Sequence, residues 1–305
     1  MATSGRRSAG AVWLLAFAAT AFWGLAGLHP FATMCSISFS LYFLIKLHTL
    51  VSYREGGSRP YGISVLAWFI AWPGLDANAF FSTKEEEKAT ALTNHDSYGG
   101  CGEVLFASSK MLLGVAMVVL IAPVFLARND LLAGWIALAG ILMMLHFGCF
   151  HLLAIFWRWG GRNVRPIMNA PILSTSVSDF WSKRWNLAFR DYTYPHLFKP
   201  LARSSSPLAA VVGGYAFSGV VHELAISVPA RTGLGLPTLY FALQGVAIVF
   251  ERWLVKRGVA IRGGWRGWIW TAVVTVPGAS ILFHPPFIRN VMVPVVEFVS
   301  LGEIR

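Results

Sequence analysis

The residues best equipped for chemistry lie in Phe217-Ser218-Gly219-Val220-Val221-His222-Glu223-Leu224, an ionisable pair inside an apolar run from Pro207 to Val228. A group that titrates near neutrality is costly inside a bilayer, so a histidine placed there is a functional-site candidate. Counted from Pro207, His222 lies about 22 Å along a helix, past the midplane of a hydrocarbon core about 30 Å thick. Neutral imidazole at that depth can accept a proton from an alcohol, which few other side chains do near pH 7. The plainer alternative is a structural histidine bonded to a backbone carbonyl of a neighbouring helix. Glu223 projects roughly 100° away around the helix and is expected to bond a neighbouring element. Ser218 shares the face of His222, so a Ser–His nucleophilic pair stands against the commoner bond from serine to its own i−4 carbonyl. Gly213, Gly214 and Gly219 thin this helix, as close packing or a tunnel wall requires.

A second stretch lies upstream: Asp179-Phe180-Trp181-Ser182-Lys183-Arg184-Trp185-Asn186. Ser176-x-x-Asp179 resembles a capping box at a helix start. From there Phe180, Trp181, Trp185, Ala188 and Phe189 recur at helical spacing, with Lys183, Asn186 and Arg190 on another sector. The expectation is one amphipathic cationic helix at a membrane interface. Asn186 is a polar amide on an otherwise aromatic element. It can donate to a developing oxyanion or orient a carbonyl, or simply meet water. Lys183, Arg184 and Arg190 suit phosphates, whether of a coenzyme or of lipid headgroups. His146 and His151 are five apart, a spacing that metal pairs on a helix do not favour, so no metal site is expected. Trp265, Trp268 and Trp270 read as an interfacial belt.

The elements that must position these residues follow from composition. The 305-residue chain is 56% hydrophobic and 13% charged, about half the charge of a soluble domain. It reads as all-α, a polytopic transmembrane helical bundle forming one membrane-embedded domain over residues 1–305. Candidate spans are Ala11–Leu28, Phe31–Val51, Val104–Leu126, Leu131–Trp157, Pro207–Val228, Leu236–Leu254, Gly267–Phe283 and a final segment around Val291–Leu301. That makes about eight, with Tyr61–Trp72 too short to cross and better placed as re-entrant or interfacial. Arg6 and Arg7 before the first run resemble a signal-peptide start, but a retained helix with an inside N-terminus reads better. Segment 158–206 carries eight basic residues against Asp179 and Asp191, and the positive-inside rule makes it cytoplasmic. Four preceding spans, with Tyr61–Trp72 not crossing, satisfy that placement. Lys84-Glu85-Glu86-Glu87-Lys88 reads as a solvated charge run. The net charge of +11 sits in loops, where it sets topology and meets anionic lipid; no nucleic-acid partner is expected. Cys35, Cys101 and Cys149 are read as free thiols.

Pro171 to Asn186, followed by Phe217 to Glu223, resembles the wax synthase-like branch of the membrane-bound O-acyltransferases. The two motifs agree in order and spacing over about a sixth of the chain. The resemblance implies an all-helical membrane enzyme with a central tunnel. Acyl-coenzyme A would enter from the cytoplasmic side as co-substrate, without a further cofactor, and a lipophilic alcohol from the membrane or the opposite face. It implies His222 as catalytic base and Asn186 as the second signature position. Trp181, Lys183, Arg184, Trp185, Arg190, Ser218 and Glu223 become candidates for substrate binding. Ser182-Lys183 stands where many relatives carry Gly-Arg. The product expected is a wax ester from a long-chain alcohol. A sterol, terpenoid or other natural-product alcohol is the alternative acceptor. A transporter using His222-Glu223 as a proton relay is a different class; it calls for an internal repeat or paired broken helices, and neither is found in the sequence. The setting would be a multi-pass integral membrane protein, in the endoplasmic reticulum of a eukaryote or the inner or plasma membrane of a bacterium.

Overall fold

The computed structural model describes residues 2–53, 62–81 and 100–302, leaving aside the side chains of residues 2–12 and 301–302. The charge run Lys84 to Lys88 lies outside the described residues, as do the side chains of Arg6 and Arg7. All regular structure among the described residues is helical. The chain runs through α1 (Ala2–Leu25), α2 (Pro30–Val51), α3 (Ile63–Ala71), α4 (Ala77–Phe81), α5 (Cys101–Leu126) and α6 (Asp130–Trp159). After an irregular stretch come α7 (177–184), α8 (187–204), α9 (Pro207–Ala230), α10 (Leu236–Lys256), α11 (Gly264–Leu282) and α12 (Pro285–Ser300).

Five of these helices (α2, α5, α6, α9 and α10) are long and apolar enough to cross a membrane. The polytopic helical bundle is therefore as expected, but the count differs from about eight. The apolar part of α1 with described side chains is only Trp13–Leu25, shorter than a span. The last two expected spans are α11 and α12, bent by 58° and countable as one broken span. The break has a simple cause. His284 is extended (ψ 154°) and Pro285-Pro286 follow it, and proline cannot continue the helical hydrogen-bond ladder.

Two helix pairs come close because they carry glycine where a side chain would collide. Gly114 of α5 lies against the backbone of Gly140 and Met144 on α6. A Cβ on Gly219 of α9 would stand 2.9 Å from the Cα of Thr238 on α10. Such contacts supply the dispersion that holds apolar helices together where lipid removes the hydrophobic incentive. Helix α9 starts cleanly: the Ser206 hydroxyl accepts from Ala209 N at 3.0 Å, and Pro207 occupies the first turn, where its missing N–H costs nothing.

α3 has nine residues, about 14 Å of helix, too short to cross. It is pinned against α2 by Lys46, which is fully buried. The Lys46 amine donates to the Trp68 and Trp72 carbonyls and lies 4.1 Å from the centre of the Trp68 ring. Tyr42 donates to the same Trp72 carbonyl at 2.6 Å. The carbonyls left over at a helix end lack intrahelical donors, and the buried Lys46 amine and the Tyr42 hydroxyl supply them.

Candidate active site

His222 closes the regular part of α9, immediately before a wide-turned segment, Glu223–Ser227. Such wide turns recur at functional sites. Its Nδ1 lies 2.7 Å from the Ser218 carbonyl. A carbonyl only accepts, so Nδ1 carries the proton and Nε2 keeps its lone pair. The ring is enclosed by protein yet keeps some accessible surface. Phe241 of α10 lies 4.4 Å away between ring centres, and Phe189 of α8 stands edge-on at 6.4 Å. Phe189 in turn stacks on Phe217, which meets Trp13 of α1. The imidazole is thus set among aromatic rings: Phe241 and Phe189 flank it directly, and Phe217 and Trp13 extend the cluster. The bond to Ser218 is a structural-histidine feature in part, but it is made within the same helix and it frees the other nitrogen.

Ser218 donates its own hydroxyl to the Gly214 carbonyl at 2.9 Å. Its proton is spent on the backbone, so the Ser–His nucleophilic pair does not form. Glu223 turns away from His222. Its Oε1 accepts from Gly235 N at 2.9 Å and Thr238 N at 3.0 Å, capping the start of α10, where unpaired N–H groups favour an anion.

The motif segment is not one continuous helix. Ser176 does cap it, its hydroxyl accepting from Asp179 N at 2.9 Å. Helix α7 then ends at Arg184, Trp185 is extended, and Asn186 is left-handed (φ 43°, ψ 60°). Asparagine tolerates that region better than most residues. The stretch 167–169 holds the kink: Asn169 N donates to Arg184 O, and Leu187 N to Ile167 O, each at 2.8 Å. Periodicity could not register this break because aromatic residues continue on both sides of it.

Asn186 therefore starts α8. Its Oδ1 accepts from Phe189 N at 3.3 Å, which leaves Nδ2 as the donor end of the amide. The asparagine sets the helix that carries Phe189 to the edge of His222. Trp181 joins the same aromatic cluster from α7, 5.6 Å from Phe241 between ring centres, and donates to Gln244 Oε1 at 3.1 Å. Trp185 stacks on Phe180 and meets Phe147 of α6.

The cations divide. Arg184 turns inward to Asp179 Oδ2 at 2.6 Å and to the carbonyls of Asn169 and Ala170. Arg190 pairs with Asp191, which also accepts both bonds from Arg165. Lys183 is exposed. Of the three cations expected to meet phosphate, two are thus bound to carboxylates of the segment itself.

Sequence reading passed over Glu251 and Gln244, both fully buried in α10. Glu251 takes Val177 N at 2.8 Å, Trp270 Nε1 at 3.0 Å and Arg262 Nε at 2.9 Å. It ties the start of α7 to α10 and α11. Gln244 links Trp181 to the Val274 carbonyl. A carboxylate and an amide inside an apolar run were the available signal. Trp270 leaves the expected belt, its indole N–H bonded to buried Glu251, whereas Trp265 and Trp268 stay exposed, Trp268 donating to Ile172 O. His151 joins Glu103, Lys110 and Arg158 in a polar network between α5 and α6, away from His146. Cys35, Cys101 and Cys149 are free thiols.

Residues 164–243, which hold α7, α8, α9 and the start of α10, match the model of the Membrane bound O-acyl transferase family. The resemblance to its wax synthase-like branch, read from the two motifs, holds on that segment. Among individual relatives, the chain is similar to a "Probable long-chain-alcohol O-fatty-acyltransferase 2" of Arabidopsis thaliana, 30% identical over 43% of this chain and 41% of the relative. It is also similar to an "Acyl-CoA--sterol O-acyltransferase 1" of Arabidopsis thaliana, 30% identical over 41% of this chain and 39% of the relative. The "Long-chain-alcohol O-fatty-acyltransferase" of Simmondsia chinensis is 29% identical over 43% of this chain and 40% of the relative. The chain thus spans about two fifths of the length of these relatives.

Proposed function

We propose that this protein is a membrane-bound O-acyltransferase that moves an acyl group from acyl-coenzyme A to the hydroxyl of a lipophilic alcohol, with a long-chain alcohol as acceptor and a wax ester as product. The observation that carries the reading is the protonation of His222: Nδ1–H is held by Ser218 O at 2.7 Å, so Nε2 is the basic nitrogen. In the reaction Nε2 takes the hydroxyl proton as the alcohol oxygen attacks the thioester carbon. The carbon–sulfur bond breaks, and the proton on Nε2 passes to the departing thiolate. The aromatic rings exclude water, which would otherwise hydrolyse the thioester, and they strengthen the electrostatics of the step. Acyl-coenzyme A reaches His222 from the face that bears the basic segment 158–206. Lys183, exposed on that segment, is a cation that can meet it there, with lipid headgroups as neighbours. Asn186 acts through the helix it caps, by placing Phe189, and its Nδ2 is the donor it can offer to a carbonyl.

The sterol named for one relative keeps a second acceptor open. Purified protein offered an acyl-coenzyme A with a series of long-chain and polycyclic alcohols separates the two. Replacing His222 by Ala should lower alcohol-dependent coenzyme A release by about 10²–10⁴-fold, the usual worth of a general base, while the thermal transition stays near that of the parent protein. A fully active, correctly assembled H222A protein refutes the assignment.

A further inference from the structure

Beyond His222, the buried polar groups at the far end of α9 do not pair off. Glu223 uses only one carboxylate oxygen to cap α10; Oε2 is buried without a hydrogen-bond partner among the described residues. His284, at the break between α11 and α12, is fully buried. Its Nδ1 accepts from Phe287 N at 3.2 Å. That fixes the proton on Nε2, which is buried and likewise unpartnered among the described residues. An orphaned acceptor and an orphaned donor therefore occupy one region of the protein. Each costs the desolvation of a polar group left without a bond, about 1–3 kcal/mol.

The two lie around the same loop. Gly235, which donates to Glu223, is two residues from Gly233. Gly233 sits at φ 78° with no room for a Cβ, because the His284 ring, Nε2 foremost, is pressed against it. No ion pair joins Glu223 and His284 among the described residues. The surroundings are apolar: Ile226, Ala230, Leu282 and Phe287 belong to one buried cluster with Phe241, the residue that touches His222. A group that satisfies both atoms must accept one hydrogen bond and donate one, and its remainder must be content among hydrocarbon. A hydroxyl on an apolar body has that pattern.

We propose that Glu223 Oε2 and His284 Nε2–H form a binding site for the acceptor alcohol's hydroxyl, one residue along α9 from the base. This rests on the acyltransferase reading and adds an acceptor subsite to it. The hydroxyl donates to the carboxylate and accepts from the imidazole, and the alcohol is held at the far end of α9 before its oxygen meets His222. The same pattern fits a bound water, so the test separates the two sources.

Two substitutions dissect His284. H284N keeps an acceptor for Phe287 N and removes the donor at Nε2; H284Q keeps a donor near Nε2 and weakens the cap. E223Q keeps the Oε1 acceptor that caps α10 and replaces the orphan acceptor with a donor. The expected result is a rise in alcohol KM of about tenfold for H284N and for E223Q, as for one lost hydrogen bond to a buried charge-assisted pair, with H284Q near the parent. The KM for acyl-coenzyme A and kcat should stay within about twofold. Unchanged alcohol KM in both H284N and E223Q overturns the site, and so does the water-only outcome, in which these variants lose thermal stability without any change in alcohol KM. The parent protein is first assayed for alcohol-dependent coenzyme A release. If that is absent, the reaction reading fails on its own. The subsite is then judged by thermal shift with a long-chain alcohol in nanodiscs: a shift in the parent lost in H284N sustains it, and equal shifts or none overturn it.

Discussion

The two motifs look alike in sequence, each with polar residues set among apolar ones, but the structure uses them differently. Around His222 the hydrogen bonds leave one nitrogen of the key residue free and surround it with rings. Around Asn186 nearly every polar group is spoken for: Arg184 by Asp179, Asp191 by Arg165 and Arg190, Val177 N by Glu251, and Asn186 Oδ1 by Phe189 N. On the proposed reading one motif carries the reactive lone pair, and the other places Trp181 and Phe189 around it.

The sharpest way to break that contrast is the His222 substitution above, which predicts lost turnover with an intact fold. Its mirror image is Glu251→Gln. Removing one partner of a buried, multiply bonded carboxylate typically costs about 3–5 kcal/mol, so the thermal transition should fall markedly, and activity only with it. If E251Q keeps its stability while turnover collapses, Glu251 belongs to the chemistry and the division between the two motifs is wrong.

Asn186 comes next in size. Asn186→Asp preserves the Oδ acceptor and still tolerates the left-handed backbone, while Asn186→Ala loses both, at about 0.5–2 kcal/mol for the cap. Activity of N186D within about tenfold of the parent supports the positioning role. A loss of about 10²–10³-fold, the worth of an oxyanion donor, would make the amide N–H a direct participant.

The smallest effect concerns pH. In α8, burial first and the neighbouring His48 second push His196 down to about 4 from its ordinary value of 6.5. The unfolded chain therefore binds this proton more readily than the folded one between these values. Stability attributable to neutral His196 is complete above about pH 6.5 and is lost as pH falls toward 4. Thermal transitions recorded from pH 7 to pH 4 should show a shallower decline in His196→Phe than in the parent. Parallel curves would remove His196 from the account.

Much of the outcome was legible in the residues. Long apolar runs dictated helices, because a backbone in lipid must satisfy its own polar groups. Ser176 announced a helix start through local cap chemistry. His222 stood out because a titratable ring in an apolar run is expensive. Other features depended on partners distant in the chain. The break at Asn186 is held by residues 167–169, and the bond pattern at Glu251 joins Val177, Arg262 and Trp270, so no window of local periodicity contains either. The bend at Pro285, visible in sequence as a Pro-Pro pair, acquired meaning only when His284 was seen packed on Gly233 beside Glu223. Sequence alone determined the helical, membrane-embedded class and the candidate base, since both follow from local composition and the cost of charge in hydrocarbon. The partners of Glu251 and Gln244, the pairing of Arg165 with Asp191, and which buried atoms still lack a partner were decided by tertiary contacts, because hydrogen-bond satisfaction depends on what the fold brings within about 3 Å.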